Sequence, residues 1–172
     1  MQKVGTKYGL ICGLLYIIFG MGSILAGSAA QQNPLIGTGI GLGMLISTFF
    51  VIFYGVKEFR DNVNGGKLAI GEAVKLGALI ALIGSLLAAS FTLLYHFVID
   101  PGYMDRMMDT MRESLEENGM SDEQIDQTMK WSNMFRSPIL GAGFTIVWYC
   151  LWGLVKGLIS GAILKREPAP SV

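Results

Sequence analysis

Four stretches of this chain carry no Lys, Arg, Asp or Glu: residues 8–30, 35–56, 76–99 and 138–155, the last running on past Lys156 to Leu164. Each is dominated by Leu, Ile, Val, Phe, Ala and Gly. A helix rises about 1.5 Å per residue, so about 20 apolar residues cross a hydrocarbon layer of about 30 Å. All four runs approach or exceed that length. The pattern predicts an all-α integral membrane protein, a bundle of four transmembrane helices at about 8–30, 35–56, 70–99 and 138–164. The whole chain, 1–172, then forms one membrane domain, with residues 101–137 inserted between the third and fourth spans. The first run follows Lys3 and Lys7 as a signal peptide would, but it is longer than the 7–15 residues or so of such a segment, so it reads as a retained span.

The insertion has a different pattern. Met104, Met108, Met111 and Leu115 fall on one helical face, and Asn118-Gly119 is a glycine stop. Ser121 with Gln124 then forms a capping box, flanked by Met120 and Ile125 as its hydrophobic staple. Ile125, Met129 and Phe135 would face inward on the second helix, giving a helical hairpin. Pro101 and Pro138 bound it.

Charge fixes the expected orientation. The N-terminal segment, the connection 57–75 and the end of the chain together hold 9 basic residues against 4 acidic, whereas residues 100–137 hold 4 basic against 9 acidic. Lys and Arg are retained on the cytoplasmic side. Both termini are therefore expected in the cytoplasm and the hairpin outside, in a bacterial inner membrane. Within the inner connection, Asn64-Gly65-Gly66 supplies the reversal. Lys57, Arg60, Lys67 and Lys75 flank it. They are candidate contacts for anionic headgroups or a peripheral protein partner.

Lys156 joins that candidate group. It is the one charge inside the fourth run, about 27 Å along a helix starting at Pro138, and is expected to snorkel to the inner headgroups, with a bundle-facing ion site as the alternative. At mid-bilayer it would cost about 2.5–3.5 kcal/mol. His96 and Asp100, four residues apart, are expected to form a local hydrogen-bonded pair.

Small residues recur at four-residue spacing: Gly5, Gly9 and Gly13; Gly37, Gly39, Gly41 and Gly43; Gly77, Ala81, Ser85 and Ala89; Gly153, Gly157 and Gly161. Such stripes let helices approach closely in lipid. Catalytic and cofactor motifs are lacking, with no Walker loop, no G-x-S-x-G and no H-E-x-x-H. Cys12 and Cys150 lie in separate apolar runs and read as core residues. The methionines of residues 104–134 could bind soft Cu(I), but at helical spacing and without cysteine they read as packing. No metal site, catalytic residue or cofactor is expected, and no nucleic-acid partner.

The segments YGLICG, GVKEFRDNVNGGKLAIGEAVKLG, IDP and AILK resemble the four-span bacterial membrane proteins grouped as domain of unknown function 4199. The inner connection, with Phe59-Arg60, Gly65-Gly66 and Gly71, carries most of that resemblance. It implies a fold and a topology, company with a polyprenyl-phosphate glycosyltransferase, and no catalytic residues. The expected function is a non-enzymatic accessory or assembly protein of envelope-lipid metabolism. A small oligomeric transporter or lipid flippase is the alternative. Expected partners are membrane lipids, a membrane or peripheral protein, and further copies of the chain.

Overall fold

The computed structural model describes residues 1–134 and 137–166, the side chains of residues 28–32 and 134 excepted. Its helices are α1 (Gln2–Gln32), α2 (Pro34–Glu58), α3 (Ile70–Leu94), α4 (Tyr103–Glu117), α5 (Asp122–Met134) and α6 (Pro138–Leu164). Single π-helical turns, Phe59–Val63 and Tyr95–Ile99, prolong α2 and α3. Four helices are long and apolar enough to cross a membrane: Gln2–Gly27, Pro34–Val63, Ile70–Ile99 and Pro138–Leu164. The first begins earlier than the charge-free run because helix continues through Lys3 and Lys7. Inside α1, Gly27 leaves the helical region at φ 42° and ψ −124°. Asn33 caps α2 by accepting from the Leu35 amide at 3.1 Å, and Pro34 occupies the first turn, where its missing N–H costs nothing.

The described residues form two compact units: Met1–Ala88 with the chain from Ile146 onward, and Ala89–Thr145. In the first unit α3 is central, with 44% of its most apolar window buried against 22% or less for the other three spans. Glycines explain how its neighbours come so close. A Cβ on Gly9 would stand 2.7 Å from Ile83, and one on Gly13 would stand 3.0 Å from the Gly84 carbonyl, so α1 lies directly on α3. On the other side, a Cβ on Gly153 would be 2.2 Å from that of Ala81, and one on Gly157 would be 2.9 Å from the Ala73 carbonyl. The stripe expected at the start of α2 behaves differently. Gly39 and Gly41 have nothing within 4 Å of a built Cβ, while Gly43 meets the Phe19 ring. Ile52, Val56, Leu76 and Ile80 are fully buried around α3. Facing outward are Leu14, Ile18, Leu25, Leu35, Ile139 and Ile163, each more than half exposed. A water-soluble surface rarely carries so much continuous apolar area.

In the second unit α4 packs on α5, as the methionine spacing indicated. The Met120 amide donates to the Leu115 carbonyl at 3.2 Å, that of Gly119 to Glu116 at 3.0 Å, and Gly119 takes φ +73°. That is a Schellman stop. Gln124 Oε1 accepts from the Ser121 amide at 3.1 Å, the return half of the capping box. Ile125 is 1% exposed, and the Ser132 hydroxyl donates to the Met111 sulfur at 3.5 Å. Phe135 lies outside the described residues. The pairing expected between His96 and Asp100 does not form. The π turn over Tyr95–Ile99 inserts an extra residue and destroys the four-residue register. His96 Nδ1 instead meets the Thr92 carbonyl at 2.7 Å, and Asp100 accepts from Arg106. Tyr103 packs edge-on against Tyr95 and His96, and burial raises its phenol above the ordinary range.

Candidate functional sites at the inner connection and at Lys156

The inner connection is a built structure rather than a loose loop. Gly65 and Gly66 take φ +61° and +78°, turning the chain after α2. Leu68 then exchanges both backbone hydrogen bonds with Arg166, at 3.0 and 3.2 Å, so the connection is laced to the segment that follows α6. Glu72 sits in the first turn of α3, and Oε2 accepts from the Ala69 amide at 2.9 Å and from Asn64 Nδ2 at 3.0 Å. One carboxylate thereby caps the helix and ties down the turn. Between these strands of chain lies a cavity of about 600 Å³, lined by Asn64, Lys67, Glu72, Lys165 and Arg166 among others. Three cations line it beside one carboxylate already committed to backbone and amide donors.

The five residues singled out from the sequence do not converge there. Only Lys67 lines the cavity. Lys57 and Lys75 are exposed on the outside of their helices. Arg60 is occupied: Nε donates to Asp61 at 2.6 Å and Nη1 to the Leu164 carbonyl at 3.3 Å, satisfying a free carbonyl at the end of α6. Lys165 and Arg166 were absent from the sequence-derived group, although they belong to the same basic excess. Nothing local in the sequence says that the end of α6 returns to Leu68. A separate cluster stands at the start of α1, where Glu58 accepts from Lys7 at 2.7 Å and from the Tyr8 hydroxyl at 2.9 Å.

Lys156 departs furthest from expectation. It is 6% exposed, and its ammonium donates to Thr48 Oγ1 at 2.5 Å inside the first unit. The reason lies in helix geometry. Side chains of an α-helix lean toward its N-terminus. Leu164, eight residues on, ends the helix about 12 Å away, but a lysine on α6 points away from that end. Its amine therefore meets Thr48, near the middle of Pro34–Val63, instead of reaching the rim. The Thr48 hydroxyl spends its own proton on the Met44 carbonyl at 2.7 Å, leaving its oxygen to accept from the lysine. Among the described residues no carboxylate lies within ion-pair reach of Lys156. Beside it Tyr16 and Tyr149 stack with ring centroids 3.9 Å apart and planes inclined by 11°, and the Tyr149 hydroxyl faces the Met44 sulfur at 3.8 Å. A cavity of about 150 Å³ opens against Lys156, Tyr16, Met44, Tyr149, Trp148 and Trp152. Four residues along α6, Ser160 is fully buried and its hydroxyl has no partner among the described residues.

Neither cavity has the makings of a metal centre: among the described residues no group of three or more His, Cys, Asp or Glu side chains lies close enough to hold an ion. No curated protein and no solved structure shows significant similarity to the chain. A family model described as "Protein of unknown function (DUF4199)" matches residues 7–166. With that match spanning nearly its full length, the chain belongs to the DUF4199 family.

Proposed function

We propose that the protein is a four-span inner-membrane accessory of envelope-lipid metabolism, without catalytic activity of its own, which holds an anionic headgroup at a basic cytoplasmic rim. The four long apolar helices would form one transmembrane bundle, with both termini inside and the α4–α5 hairpin on the outer side. The observation that carries this reading is the 600 Å³ cavity beside the inner connection, where Lys67, Lys165 and Arg166 converge. Arg and Lys at such a place suit phosphate oxygens of a lipid head. Lys57 and Lys75, exposed nearby in sequence, would add general attraction to an anionic leaflet, at about 1 kcal/mol for each cation near the surface. The rim could equally present the bound lipid to a peripheral protein partner.

The test is native mass spectrometry of the protein released gently from its own membrane. Retained anionic lipid should disappear in Lys67→Ala/Lys165→Ala/Arg166→Ala and persist in Lys57→Ala/Lys75→Ala. Equal retention in both variants removes the cavity from the proposal. A transporter or lipid flippase working as an oligomer is the second reading, and the tyrosine-walled cavity that Lys156 lines is what favours it. A conduction pathway needs such groups inside the bundle, whereas the α3–α6 contact is dry and glycine-packed.

A further inference from the structure

A buried lysine must either give up its proton or meet an anion, and Lys156 has no carboxylate partner from this chain among the described residues. Its single hydrogen bond is to a neutral hydroxyl, and that hydroxyl is oriented by the Met44 carbonyl so that only its acceptor side faces the lysine. An ammonium carries three donors, so two remain for something else. Lys156 is also one of the residues that line the cavity. The cavity's volume of about 150 Å³ is several times the share of one water in the liquid, about 30 Å³. That holds a carboxylate or phosphate group but not an acyl chain.

The walls say how such a group would arrive. Leu45, Trp148 and Trp152 line the cavity and are 37%, 48% and 36% exposed. Around them the outward faces of α2 and α6 are apolar, with Ile46, Phe50, Val147, Leu151 and Val155 exposed. A free ion crossing hydrocarbon to this opening would be strongly disfavoured, whereas an amphiphile could bring its head sideways while its chain stays outside against Leu45 and the tryptophans. The site is separate from the rim cavity and shares no residue with it.

We propose that Lys156, held by Thr48, forms the floor of an intramembrane site that takes the anionic head, a carboxylate or a phosphate, of a membrane amphiphile entering between α2 and α6. Lys156 supplies the charge, Thr48 fixes the direction of its amine, and the Tyr16–Tyr149 stack walls the site.

The experiment titrates the full chain, in a neutral detergent, with oleate and with dodecyl phosphate, using oleyl alcohol as the uncharged control. Binding is read by native mass spectrometry and thermal stability in parallel. In the Lys67→Ala/Lys165→Ala/Arg166→Ala background, which removes the rim cations, the protein should hold one anionic amphiphile in preference to the alcohol. Lys156→Met, which keeps the volume and removes the charge, should weaken that binding by about 10- to 100-fold, the worth of a hydrogen bond to a charged group. Its melting temperature should be unchanged or higher, since a buried charge exchanged for an apolar side chain is often neutral or stabilising. Lys156→Gln provides the same comparison with a polar side chain, and wild type, which keeps the rim cations, should hold at least as much as the rim variant does. The idea is overturned if the rim variant shows no preference for the charged amphiphiles, or if both Lys156 variants bind as tightly in that background. Displacement of oleate by millimolar acetate or inorganic phosphate would also overturn it, because the occupant would then be a free ion.

Discussion

Substituting alanine for Gly77 should drive α3 and α6 apart. A Cβ at that position stands 2.7 Å from the Gly153 carbonyl oxygen, 2.7 Å from the Gly157 Cα and 3.1 Å from the Gly157 nitrogen. All three are backbone atoms, so no rotamer change can relieve the overlap. Carbon atoms in comfortable contact sit about 3.5–4.0 Å apart, so the helices must separate by roughly 1 Å or tilt. Overfilling a close-packed contact costs about 1–3 kcal/mol. Alanine returns up to about 1 kcal/mol of helix propensity in water, but less in lipid, where the alternative state of the span is also helical. The balance is a loss of about 1–2 kcal/mol. At about 2–4 °C per kcal/mol for chains of this length, the melting temperature should fall by about 2–8 °C. Thermal unfolding in mild detergent, followed by size-exclusion recovery after heating, measures it. Gly143→Ala is the matched control, because that α6 glycine has nothing within 4 Å of a built Cβ. If Gly77→Ala melts with or above Gly143→Ala, the backbone-to-backbone contact is not what joins these helices.

Two further expectations address the hairpin and the topology. Ile125→Ala removes a side chain that is 1% exposed and should cost about 2–5 kcal/mol locally. Amide exchange over α4 and α5 should then accelerate, while Met107→Ala, at a position 46% exposed, should leave it unchanged. Cysteines placed at Met107 and Lys57 should differ in intact cells. An impermeant maleimide should label the first and spare the second, and the reverse pattern would invert the proposed orientation.

Local chemistry was the part of this chain most open to reading from sequence. The glycine stop at Asn118-Gly119 and the Ser121–Gln124 box depend on neighbours within a few residues, and both formed as the residues indicated. The stripe Gly153, Gly157 and Gly161 also found a partner, because small residues at four-residue spacing suit close approach whatever the partner is. Stripe alone does not say which face is covered, and Gly39 and Gly41 show the limit. His96 missed Asp100 because a π turn changes register without leaving a sequence mark. The candidate sites were less legible still. Lys156 was conspicuous as a charge in an apolar run, yet its distance from the helix end suggested the rim. Side-chain lean decided otherwise, and Thr48, 108 residues away, gave no sign of being its partner. Lys165 and Arg166 joined Lys67 through a backbone pairing, Leu68 with Arg166, that no periodicity announces.

That pairing has a consequence for the order of assembly. The contacts of Gly9 and Gly13 with α3 can form as soon as α1 and α3 have been made. The cavity at the inner connection cannot, since Lys165 and Arg166 close it. Nor can the cavity at Lys156, which lacks Trp148, Tyr149, Trp152 and the lysine itself until α6 is in place. Both places thus come into being together, when α6 docks. A chain caught before that step would leave the glycine-furrowed face of α3 uncovered, so the formation of either cavity reports that α6 has docked.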